Sequence, residues 1–176
     1  MSTKNSISPI YQATLLSGVI LLTSCQFISE TPRAVSVIQA KSGSGIQGSM
    51  SFTQSGNNVN VTGTFSGLTP NSEHGIHIHE NGDCSTLDAS SAGGHYNPNS
   101  GKHGKHNNFS SHAGDMPNIK VDSNGNSNYS ATLSHFSLVN EQNILGKSVV
   151  VHRNKDDYVT QPSGNSGERI GCGIIR

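Results

Sequence analysis

The sequence predicts an all-β domain of eight short antiparallel strands, packed as a sandwich or flattened barrel and interrupted by two long loops. Three observations predict it. Charged residues make up 12% of the 176 positions and hydrophobic ones 31%, tryptophan is absent, and glycine, serine and asparagine are abundant. That mixture suits strands and polar turns better than helices, which favour Ala, Leu, Glu and Lys. Apolar and polar residues alternate in short runs, the period of a half-buried strand. Turn-forming residues separate the runs.

The first strand starts over residues 34–38 and the second covers 46–52. A turn at Ser55-Gly-Asn-Asn58 leads into a third, built on Val59, Val61 and Phe65. Ile76 and Ile78 mark a fourth. The remaining four fall at 119–121, 129–133, 148–152 and 170–175. Residues 84–117 and 153–168 break the rhythm, and long loops without secondary structure of their own are usually functional or disordered.

The N-terminal segment reads differently. The first acidic residue is Glu30; before it come Lys4, an apolar run over 13–22, and Leu22-Thr-Ser-Cys25. A short apolar run after a positive start is an export signal rather than a spanning helix, which needs about 20 apolar residues. The four residues ending at Cys25 resemble a bacterial lipobox, whose cysteine is diacylated and becomes the mature N-terminus. The expected organisation is a signal peptide over 1–24, a lipidated Cys25 and short tether over 25–33, and the folded domain over 34–176. By the same resemblance, Gln26 after the cysteine implies sorting to the periplasmic face of an outer membrane where the source has two membranes. The other two cysteines, Cys84 and Cys172, form an even pair in an exported chain, so a disulfide is expected.

Formal net charge is zero with neutral histidines, which removes the basic footprint of a nucleic-acid binder. The histidines carry the chemistry. Seven of nine lie between His74 and His112. In a strand, His77 and His79 project from one face while Ile76 and Ile78 point to the core. His74, an odd number of positions away, falls on the opposite face and reads as a hydrogen-bonded structural residue. His95, His103, His112 and Asp115 match a closed zinc site of three imidazoles and a carboxylate, and zinc would fold a loop that lacks apolar content. On residue type alone His106 competes with His103. His152, ending an apolar strand, is a further imidazole for the face of His77 and His79.

Several ordered motifs are similar to one family. Gly75-Ile-His-Ile-His-Glu-Asn-Gly-Asp-Cys84 resembles the copper-binding signature of copper/zinc superoxide dismutases, and Gly164-Asn-Ser-Gly-Glu-Arg-Ile-Gly-Cys172 resembles their second signature. Between them, Gly94-His-Tyr-Asn-Pro98 and the spacing His95-x7-His103-x8-His112-x2-Asp115 resemble the family's zinc loop. The resemblance spans about 34–176 and implies a Greek-key fold, with copper on His77, His79, His95 and His152 and zinc on His95, His103, His112 and Asp115. It selects His103 over His106. It makes His95 the bridging ligand that takes up a proton, Asp156 the carboxylate hydrogen-bonded to ligands of both metals, and Arg169 the guide for the superoxide anion. The implied disulfide Cys84–Cys172 ties the metal loop to the last strand. The implied reaction converts superoxide to dioxygen and hydrogen peroxide by copper redox cycling. A metal-buffering or metal-delivery protein on the same fold is the alternative, and both monomer and homodimer fit the sequence. Glu168 puts a negative charge beside Arg169, and Gln161, Pro162 and Ser163 stand where some relatives carry a steering lysine. Lys105 and Lys155 are the remaining candidates for that role, and a shallow dependence of rate on ionic strength is expected.

Overall fold

The computed structural model describes Met1, residues 30–106, 108 and 110–176. The expected signal peptide over 1–24 and Cys25 lie outside the described residues, apart from Met1. Among the described residues there are nine strands: β1 Arg33–Ala40, β2 Gln47–Ser55, β3 Asn58–Ser66, β4 Glu73–His74, β5 Ile76–His79, β6 Ile119–Lys120, β7 Ser127–Leu133, β8 Ser148–His152 and β9 Arg169–Ile174. Seven form one curled antiparallel sheet in the order β5-β8-β9-β1-β2-β3-β7, and β4 pairs with β6 alone. All eight expected strands occur. The difference lies at 119–121, where the strand is two residues long and leaves the main sheet to pair with β4. Two residues are too few to show a period, so β4 has no signature in the sequence.

Alternation places the core. In β1, Ala34, Ser36 and Ile38 point inward while Val35 and Val37 face out. Met50 and Phe52 of β2 and Val59, Val61 and Phe65 of β3 join them, and the Phe52 ring meets Phe136 edge-on at 6.5 Å. Strand β8 is buried on both faces, which explains its unbroken Val149-Val-Val151 run. Val149 and Val151 pack in the main core, whereas Val150 packs outside it against Ala89, Ala92 and Cys172.

That outer layer is built by the loop after β5, whose described residues include one 3-10 turn, Ser90–Ala92. The Cys84–Cys172 disulfide, with Cα atoms 5.8 Å apart and a sequence separation of 88, fastens it to β9. Closing a loop of this length contributes about 4–5 kcal/mol on the chain-entropy model. The loop then runs back along β5: the Ile78 N–H donates to Gly114 O, Tyr96 N–H to Ile78 O and Gly114 N–H to Tyr96 O, at 2.8–2.9 Å. Glycine is required at 114, since a Cβ there would stand 2.2 Å from Ile78 O. Histidines of the strand and of the loop thereby meet on one side of β5. Among the described residues no helix is long and apolar enough to cross a membrane.

Candidate metal centre

Register sets the first cluster. His77 lies opposite Val150 in the β5–β8 pairing, on the face away from the main core, and His79 follows two residues later. A register shift between Val151 and His152 at the end of β8 adjusts where His152 points. His95 enters from the loop through a bridge to His79. One ligand atom from each of His77, His79, His95 and His152 lies within 4.8 Å of the others.

Each ring has one nitrogen occupied and one idle. His77 Nε2 bonds Asp156 Oδ2 at 2.9 Å, His79 Nδ1 donates to Gly93 O at 3.0 Å, and His152 Nδ1 donates to Gly167 O at 3.2 Å. His95 Nδ1 contacts Asp115 Oδ1 at 2.9 Å. The other nitrogens (Nδ1 of His77, Nε2 of His79, His95 and His152) are buried without a hydrogen-bond partner. Four buried ring nitrogens without partners, brought together in one place, are costly alone and are what a metal satisfies, with the opposite nitrogen fixing each tautomer. Imidazoles suit copper and zinc alike. Burial holds His77 and His79 well below the ordinary imidazole pKa and brings His152 down to about 4, so these rings stay neutral.

The second cluster is organised by Asp115. Its Oδ1 lies 2.9 Å from Nδ1 of His95, 2.9 Å from Nδ1 of His103 and 3.5 Å from Nδ1 of His112, and the His95 and His112 Nδ1 atoms are 3.3 Å apart. Tetrahedral zinc with bonds of ~2.0–2.1 Å sets its ligand atoms roughly 3.3 Å apart, so these separations fit. Asp115 Oδ2 accepts from the N–H groups of Gly104 and His112 at 2.9 and 3.1 Å. His77, His95, His103 and Asp115 also bring ligand atoms within 4.8 Å. His77, however, spends its Nε2 on Asp156 and its idle Nδ1 belongs with the first cluster, whereas His112 has its Nδ1 directed at Asp115 and His95. Burial alone would raise the Asp115 pKa, but hydrogen bonds with His103, His112, His95 and Gly104 hold it well below the carboxylate range. Burial also opposes a charge on His103, yet Asp115 and Asp156 raise it to about 9.

Two residues join the clusters. His95 turns Nε2 toward the first and Nδ1 toward the second. Asp156 spans them with its two oxygens, Oδ2 to His77 Nε2 and Oδ1 to His103 Nε2, both at 2.9 Å. Asn118 braces Asp156 by accepting from its N–H and donating to its C=O, each at 2.9 Å.

His103 shares one of these groups with Asp115, whereas His106 falls in neither. His74 has both nitrogens engaged, with Ser72 Oγ and with His152 O at 2.8 Å, as a structural histidine should. Arg169 donates to Ala89 O and Gly93 O, both at 2.7 Å. A cavity of about 270 Å³ opens over the first cluster, lined by His79, His95, His112, His152, Ser163 and Arg169. Among the described residues lining it, Arg169 is the one permanent charge. Glu168 does not line it and is paired with Arg153, Nε and a terminal nitrogen lying 2.8 and 2.6 Å from Oε2. Lys105 and Lys155 are exposed and do not line it either.

Sequence reasoning missed the supports: Asn118, Lys41, which donates to Cys84 O and Thr86 O, and Gln161, which bonds the main chain of His103. None stands in a motif, so no local signal pointed to them.

Comparison with known proteins agrees with this geometry. The family model for copper/zinc superoxide dismutase (SODC) matches residues 46–175. Superoxide dismutase [Cu-Zn] 2 of Aquifex aeolicus (strain VF5) is 36% identical over 167 residues, covering 92% of this chain and 96% of that protein. Superoxide dismutase [Cu-Zn] 1 of the same organism is 40% identical over 134 residues, covering 73% and 79% respectively. The superoxide dismutase [Cu-Zn] of Paramecium bursaria Chlorella virus 1 is 35% identical over 159 residues, covering 87% and 82%. Among solved structures, the clock protein EA4 superposes with a TM-score of 0.75 at 36% identity, covering 82% of this chain and 94% of that one. Taken with two histidine clusters that share one ring, these matches show that the chain belongs to the copper/zinc superoxide dismutase family.

Proposed function

We propose that His77, His79, His95 and His152 hold copper, that His95, His103, His112 and Asp115 hold zinc, and that the loaded centre dismutates superoxide. The observation that carries this reading is the set of four buried, partnerless ring nitrogens facing one point. Copper supplies one-electron redox chemistry, and zinc, which has none, organises the loop. Two superoxide anions and two protons become one dioxygen and one hydrogen peroxide.

The chain's own residues contribute binding, orientation and proton handling. Arg169 supplies a fixed positive charge at the cavity and holds the anion beside His79 and His152. Its two carbonyl partners restrict the guanidinium before any anion arrives. His95 Nε2 is the atom placed to take up and deliver a proton, because it has no hydrogen-bond partner while Nδ1 is occupied by Asp115. The hydrogen bonds on His77, His79 and His152 keep the remaining rings from turning.

Loading with both metals, then following superoxide loss and peroxide formation, tests the reading. Activity falls to background in His152→Ala and on copper removal. Full metal occupancy without turnover would favour metal buffering or delivery instead.

The exported location, on the periplasmic face of a bacterial outer membrane, is supported by the residue pattern that ends at Cys25. It predicts partitioning into the detergent phase, with Cys25→Ser recovered in the soluble fraction; unchanged partitioning of that variant would sink the anchor. A homodimer is supported by Val35 and Val37, 53% and 64% exposed on the outer face of β1. Sedimentation of Val37→Glu against the parent tests it.

A further inference from the structure

His103 lies in a part of the metal loop that has no strand, so no sheet ladder fixes its main chain. A side chain from the other long loop does so instead. Gln161 Oε1 accepts from the His103 N–H at 2.8 Å, and Gln161 Nε2 donates to His103 O at 2.9 Å. The same Nε2 donates to Val159 O at 3.1 Å. Only this orientation of the amide satisfies an N–H and two carbonyls together. The side chain therefore pairs with His103 as a neighbouring strand would, across 58 residues of sequence.

The loop that carries Gln161 also reaches the imidazole. Asp156, five residues earlier, bonds His103 Nε2. Gly164, three residues later at φ +67°, closes over the same place: a Cβ there would stand 1.7 Å from Asp156 Oδ1 and 2.6 Å from His103 Nε2. Main chain and ring of one residue are thus gripped by one loop.

We propose that Gln161 is the positioning residue for His103, acting through its peptide groups to set zinc affinity and the rate of zinc release. The proposal rests on the reading of His103 as a zinc ligand. Its physical basis is pre-organisation. A ligand on an irregular loop must be ordered on binding, and hydrogen bonds made beforehand remove part of that entropy from the binding step. The amide is specific, because leucine would lose all three bonds and glutamate would set a carboxylate oxygen against two carbonyls.

The test is zinc competition against a chromogenic chelator, with metal-free protein and Zn²⁺ alone. Gln161→Leu is expected to weaken zinc by about 10–100-fold, the range typical of residues that orient a ligand, and to release it faster. Copper affinity at the strand-borne cluster stays within about twofold and serves as the measure of folding. Co²⁺ in place of zinc reports geometry, and its visible bands shift in the variant at equal occupancy. Asp157→Ala is the control: the Asp157 carboxylate accepts from Val159 and Thr160 and makes no hydrogen bond to His103. Zinc affinity of Gln161→Leu equal to the parent, or an equal loss in Asp157→Ala, would overturn the proposal. Should Gln161→Leu fail to fold, the isosteric Gln161→Glu carries the same expectation. His103→Ala separates the two layers of inference, because unchanged zinc affinity in that variant rejects the zinc-site reading itself rather than the clamp.

Discussion

The two clusters share His95 but are built in opposite ways. Three rings of the first, His77, His79 and His152, come from paired strands whose other face is the main core. The rings are kept neutral by burial, and their tautomers are set mostly by carbonyl oxygens. The second cluster comes entirely from a loop and is held by charge, Asp115 against three imidazoles. A strand-borne site keeps its shape without a metal, and a loop-borne site depends on electrostatics and on borrowed supports. Copper-type redox cycling suits the first and a closed structural ion suits the second.

The largest effect is expected where the two designs are joined. Asp156→Leu removes the acceptor of both His77 Nε2 and His103 Nε2, leaving two buried donors unpaired. Both metals should bind about 10–100-fold more weakly, read by separate copper and zinc titrations. Loss of zinc binding alone would show that the strand-borne cluster needs no help from the loop.

Arg169→Gln comes next, lowering kcat/KM about tenfold through lost anion attraction while both metals remain bound. If metal content falls as well, the arginine acts on the scaffold through Ala89 and Gly93 rather than on the anion.

Metal-free protein should reveal the contrast as a stability profile. The depressed rings, with His152 at about 4, contribute stability that is complete above the unfolded value of ~6.5 and lost as pH falls toward 4. His103, raised to about 9, contributes stability that is complete below ~6.5 and lost as pH rises through 9. Denaturation midpoints should therefore peak near pH ~6.5 and decline on both sides. A profile rising steadily in either direction would deny the opposed titrations.

The smallest effect concerns Glu168. Its charge is paired with Arg153 and kept off the cavity, so Glu168→Gln should alter the rate by less than about twofold. Raising salt from ~10 to ~150 mM shortens screening from about 30 to 8 Å. With Arg169 as the one charge lining the cavity among the described residues, the rate should fall only slightly over that range.

Legibility in the sequence followed the same division. His77 and His79 could be placed on one face from the alternation Ile-His-Ile-His, because a period of two is local information. The Val149–Val151 run marked an apolar strand, and its burial on both faces emerged only with the fold. In the loop, spacing yielded residue types but left His103 and His106 equal until the family resemblance chose; in the structure His103 meets Asp115 and Asp156. Gln161, Asn118 and Lys41 were invisible, since each acts through contacts spanning 58, 38 and 43 or 45 residues, where no periodicity reaches. The pairing of β6 with β4 was hidden likewise, both being two residues long.

One carbonyl serves both Arg169 and a ring of the first cluster. Gly93 O accepts from Arg169 and from His79 Nδ1 at once, at 2.7 and 3.0 Å. The guanidinium and that imidazole are therefore pinned to a common origin, like two arms on one pivot. When thermal motion moves the loop, both are carried together, and the gap an incoming anion must bridge changes less than either position does alone.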